Sequence, residues 1–120
     1  MVEMVLRGTL DAHTLPLLEK GVADAKRIVH DAYDQHKTPV RVLFDITDFS
    51  GTYHVQAMML MKDLELHNRP FVEKTAIFGG SELAQVAAQV TVDLIGHPSL
   101  KVLKTREEAV RWLTTERVLP

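Results

Sequence analysis

Residues 40–46, Val-Arg-Val-Leu-Phe-Asp-Ile, carry five apolar side chains in seven positions, without the in-out alternation of a strand that faces water on one side. A strand apolar on both sides has to be covered on both sides, which is the situation of a parallel sheet between layers of helix. Parallel neighbours cannot be joined by a tight hairpin, and each connection needs a crossover of a dozen or more residues. This one segment therefore demands helices before and after it.

The flanking sequence supplies them. Leu15, Leu18, Val22, Ala25, Val29 and Ala32 recur at steps of three and four, with Lys20, Asp24, Arg27 and Asp31 on the opposite face. That helix ends in the polar stretch Gln35–Pro39, because the residue before a proline is pushed toward extended backbone. After the strand, residues 55–66 are apolar at helical spacing and Asn68-Arg69-Pro70 stops them. Lys74–Phe78 reads as another strand closed by Gly79-Gly80, and Ser81 as the N-cap of a helix running through Leu94 to Gly96 and Pro98. Leu100–Leu103 is the last strand. Thr105-Arg106-Glu107-Glu108 has the spacing of a capping box, and Ala109, Trp112 and Leu113 then face inward. A short strand over Val2–Leu6, followed by a turn at Gly8, begins the chain. The expected architecture is α/β: a single domain over residues 1–120, built from four strand-helix units with right-handed crossovers and a mostly parallel sheet. The first strand is expected at an edge or antiparallel.

Composition narrows the function classes. With 46% hydrophobic and 25% charged residues the chain has ordinary globular composition, and at 120 residues it buries a useful core without cross-links. The absence of cysteine excludes disulfides, thiolate zinc sites and cysteine nucleophiles, and fits a reducing, cytoplasmic location. A net charge of −2 lacks the basic footprint of nucleic-acid binding, and no apolar run approaches a membrane span. His13, His30, His36, His54, His67 and His97 form no i, i+4 pair of the kind zinc uses, so neither metal nor cofactor is expected. Gly79-Gly80-Ser81 lies between strand and helix, where phosphate sites occur, but no dinucleotide fingerprint follows, and close packing explains the glycines more simply.

The segment VLFDITDFSGT, the strand TAIFGG and the closing KVLKTREEAVRWL, in this order, resemble the SpoIIAA-like branch of the STAS superfamily over about residues 6–113. The resemblance implies a fold related in outline to the CRAL-TRIO lipid-binding fold and, usually, no enzyme activity. In the anti-sigma-factor antagonists of that superfamily, a serine at the start of the second helix is a phosphorylation switch. The matching corner here offers Ser50 and Thr52, with Phe49 standing between Asp48 and the serine.

The candidate site is thus the corner after the central strand: Asp45, Asp48, Phe49, Ser50, Gly51, Thr52, Tyr53 and His54. Gly51 lets the chain turn, the aspartates accept local amides, and Phe49 and Tyr53 offer contact area. Met58, Met59 and Met61 give the next helix apolar side chains beyond one flank, suited to a dimer surface or to the wall of an apolar pocket. The leading expectation is a non-enzymatic regulatory or protein-binding module that works through residues 48–52 and the following helix, and self-associates as a homodimer. Its rivals are a carrier of a lipid or other small apolar ligand and, third, a small hydrolase using Asp45, Asp48 and His54.

Overall fold

In the computed structural model, residues 1–10, 13–53 and 55–115 are described, with the side chains of residues 9, 10, 50–53 and 55 left aside. The chain runs β1 (Val2–Val5), β2 (Gly8–Leu10), α1 (Leu15–His36), β3 (Val40–Asp45), β4 (Phe49–Tyr53), α2 (Val55–Asn68), a 3-10 turn (Arg69–Phe71), β5 (Val72–Phe78), α3 (Glu82–Ile95), β6 (Leu100–Leu103) and α4 (Arg106–Thr114). The main sheet is entirely parallel in the order β1-β3-β5-β6, so the doubly apolar segment is an interior strand. The first strand takes an edge, as one alternative had it, but it is parallel to β3, pairing Val2 with Val42 and Val5 with Asp45.

One expectation is corrected outright. Residues 49–53 are not a turn leading into a helix: they form β4, which pairs in parallel with β2, Gly8 opposite Phe49 and Leu10 opposite Tyr53. Gly8 likewise begins a strand instead of only turning the chain. The physical reason is non-local. Leu6 donates its amide to Asp45 O at 2.9 Å and Gly8 donates to Asp48 O at 3.0 Å, so the first segment stays beside the third after the main sheet ends.

The sheet has two differently covered faces. On one lie Leu43, Ala76 and Phe78, sealed by Ala109 and Leu113 of α4. On the other lie Val42, Phe44 and Ile77, against α1, α2 and α3. Here Leu18 and Val22 of α1, Ala57 and Leu64 of α2, and Ala84 and Ala88 of α3 meet Ile46 and Phe49 in one cluster.

The helix ends follow the local chemistry read from the sequence. Ser81 Oγ accepts the Ala84 amide and Thr105 Oγ1 the Glu108 amide, each at 3.2 Å, and Gly96 closes α3 in the left-handed region. The C-terminal carbonyls of α4 are held from the sheet instead. Lys74, buried at 9% exposure, donates to Trp112 O and Thr115 O while its ammonium lies 5.0 Å from the Trp112 ring centre, and Arg41 donates to Leu113 O. Cations at a helix C-terminus complement its partial negative charge.

Candidate functional site

The corner after β3 is built from short hydrogen-bonded steps. Asp45 Oδ1 accepts the Thr47 amide at 2.8 Å, and the Phe49 amide returns to Ile46 O at 3.0 Å. Burial works against the Asp45 charge, but bonds from the Thr47 hydroxyl and amide and the positive charges of Arg106 and Arg7 outweigh it, holding the carboxyl below its ordinary value. Asp45 is a turn-holding residue in this arrangement.

Gly79 and Gly80 complete the corner. Both have positive φ, +88° and +80°, and a Cβ on Gly79 would collide with Thr47, while one on Gly80 would come 3.0 Å from Ile46 O. These glycines let the end of β5 approach residues 46–47, which accounts for them without a phosphate.

The expected site residues divide. Asp48 is exposed, but Phe49, expected as contact area, is only 4% exposed and packs in the core. An aromatic ring in a strand beside three helices is drawn inward by its apolar area. Ser50, Gly51, Thr52 and Tyr53 belong to β4, and α2 does not begin until Val55, so Ser50 does not stand at a helix start as in the antagonists. His54 lies outside the described residues. Among the described residues no three His, Cys, Asp or Glu side chains come together as a metal group.

The methionines also part company. Met59 is 56% exposed, Met58 is half-buried, and Met61 turns into the protein. There it helps to line a cavity of about 90 Å3 between the sheet and α2 and α3, walled by Val42, Phe44, Leu64, Val72, Ile77 and Val92 among others. A second space of about 60 Å3 lies beside it and shares Phe44, Met61, Ile77 and Thr91 as walls; its far side is formed by Ile46, Ala84, Ala88 and Phe49. Phe49 thus belongs to the corner by its backbone and to the cavity by its side chain.

One end of the larger space is polar. Asn68, the last residue of α2, is 6% exposed, lines the cavity, and leaves its Oδ1 without a hydrogen-bond partner. Beside it Arg69 donates through Nε and Nη2 to the two carboxylate oxygens of Glu65, at 3.1 and 2.7 Å. By residue type Asn68 is a helix stop, ahead of Arg69-Pro70. The available signal was its register: Ala57, Met61, Leu64 and Asn68 follow at steps of four, three and four, which puts the amide on the inward stripe of α2.

A sheet of four parallel strands with α4 on one face, three helices on the other and a cavity under α2 and α3 is the geometry in which known relatives can be compared. The SpoIIAA-like family matches residues 2–114, and the chain belongs to that family. It is also similar to the crystal structure of an uncharacterised protein of the DUF3478 family with a SpoIIAA-like fold from Shewanella loihica PV-4. The TM-score is 0.60 at 23% identity, over 91% of this chain and 80% of that one. No curated protein matches. The fold is therefore the SpoIIAA-like, STAS-type fold expected from the corner and terminal motifs. Among the described residues no helix is long and apolar enough to cross a membrane.

Proposed function

We propose that this chain is a non-catalytic binding module that holds a small, mainly apolar molecule between the sheet and helices α2 and α3, and that the corner at residues 45–53 is where a protein partner reads the occupant. The observation that supports the reading is Phe49, whose ring walls the cavity while its backbone forms β4. An occupant pressing on that ring shifts β4 and, through the pairing of Gly8 with Phe49, β2 as well. Asp48 and Thr47 are exposed beside it, and the hydroxyls of Ser50 and Thr52 belong to the same strand as candidates for modification. This arrangement joins the regulatory and carrier readings in one device: the first step is ligand binding and the second is a change of surface.

Cavities with mainly apolar walls take up benzene or xenon, so a simple apolar probe tests the first step. Benzene titrated into 15N-labelled protein is expected to shift the amides of Phe44, Ile77 and Val92 together with those of residues 45–49. In Phe49→Leu the shifts at Phe44, Ile77 and Val92 are expected to persist while those of the corner shrink. An unchanged spectrum for the wild type defeats the cavity reading, and corner shifts of equal size in the variant defeat the coupling.

A further inference from the structure

A buried amide oxygen without a partner is a costly feature in a folded protein, because the group loses its water and gains nothing in exchange. Asn68 Oδ1 is such a group, and it stands at the wall of the larger cavity. Three of the neighbouring polar side chains have partners of their own, and a fourth, Thr75, also lines the cavity. Thr91 Oγ1 donates to Ala87 O at 3.0 Å, Ser99 Oγ lies 2.5 Å from His97 Nδ1, and the Glu65 carboxylate is taken by Arg69. A trapped water is held well when two to four polar partners surround it. A ligand that brings its own donor takes the place of any water at Oδ1 and adds the contacts of its apolar body.

We infer that the occupant of this cavity is a small neutral molecule that presents an O–H or N–H donor to Asn68 Oδ1, with its apolar body against Val42, Phe44, Met61 and Ile77. This rests on the cavity reading given above and specifies its ligand. The size follows from the space: a cavity of about 150 Å3 holds benzene, and the spaces of about 90 and 60 Å3, which share walls, reach that volume only together, so a body that extends into both has about six non-hydrogen atoms. The charge follows from the polar end. It offers an acceptor, and Arg69 has Nε and Nη2 directed at Glu65, so a carboxylate head would face an amide oxygen of the same polarity. Asn68 is then a specificity-determining residue, whose unpaired oxygen favours a donor over an acceptor of the same shape.

Three probes of nearly equal size decide the matter: 2-pentanol, 2-pentanone and pentanoate, each titrated into wild type and Asn68→Leu and followed by amide shifts of the cavity walls. The alcohol is expected to bind the wild type about tenfold more tightly than the ketone, the factor that one hydrogen bond of about 1.4 kcal/mol supplies, with pentanoate weakest. In Asn68→Leu alcohol and ketone are expected within about twofold of each other. Equal binding of alcohol and ketone by the wild type overturns the donor inference and leaves the cavity reading standing. Tighter binding of pentanoate overturns the neutral class. Failure of all three probes to shift the lining amides removes the cavity reading itself, and the wild-type comparison alone decides if the variant does not fold.

Discussion

The two faces of the main sheet are covered by very unequal means, and the smaller cover makes the tighter seal. A single helix of nine residues, α4, brings Ala109 and Leu113 to full burial against Leu43, Ala76 and Phe78. Three longer helices lie on the opposite face, yet Phe44, Thr75 and Ile77 there remain only half-buried. Strand β5 records the contrast along its length, with Lys74, Ala76 and Phe78 buried and the residues between them less so. The difference lies in the fit of side chains. Ala76 and Ala109 meet Leu43, Phe78 and Leu113 in one buried cluster, whereas on the other face the small side chains of Ala84 and Ala88 border space beside Phe44 and Ile77. Close packing is a property of matched shapes, not of the amount of helix applied.

The contrast can be broken most severely on the sealed face. Leu113→Ala is expected to destabilise the protein by about 3 kcal/mol in urea denaturation, the range for a fully buried leucine whose surroundings cannot collapse. A loss below about 1 kcal/mol would mean that α4 is not a tight seal. Enlarging a residue on each face sharpens the comparison further. Ala76→Val is expected to cost about 1–3 kcal/mol through overpacking, while Val92→Leu, which extends into the cavity, is expected to change stability by less than about 1 kcal/mol while weakening benzene binding. Equal costs would show that the two faces are packed alike.

The smallest effect belongs to the corner that adjoins both faces. Asp45→Asn is expected to cost about 1 kcal/mol near neutral pH, the worth of a charge-assisted turn bond. The folded-state pKa of Asp45 lies below its ordinary value, so its stabilisation is complete above the ordinary carboxylate pKa and is lost as pH falls through the lower folded value. Wild type and variant are therefore expected to differ at neutral pH and to converge in strong acid, as thermal unfolding across that window would report.

The strands and helices were legible because each carries its own period. The steps of three and four from Leu15 to Ala32 define α1, and the doubly apolar residues 40–46 define an interior strand, without reference to anything distant. Strand β4 carries no such mark. Ser50-Gly51-Thr52 has turn composition, and what makes it extended is the partner Gly8–Leu10 some forty residues earlier, itself too short to show alternation. The candidate site was legible in part for the same reason. Asp45 could be placed at a turn from residue type, but the burial of Phe49 needed the helices around it, and a cavity belongs to no single segment. Asn68 shows where the limit falls: its register was visible in the sequence, while the missing partner was visible only in three dimensions.

The attachment of α4 also makes its last turn dependent on distant strands. Its terminal carbonyls are bonded by Arg41 and Lys74, across 72 residues for Leu113 and 38 and 41 for Trp112 and Thr115. A nine-residue helix is marginal by itself in water, so the last turn of α4 depends on the two cations that β3 and β5 set in place. Helix α4 is in this sense a latch on the sheet, and its amides should exchange with solvent ahead of those in β3 and β5 whenever the molecule opens locally.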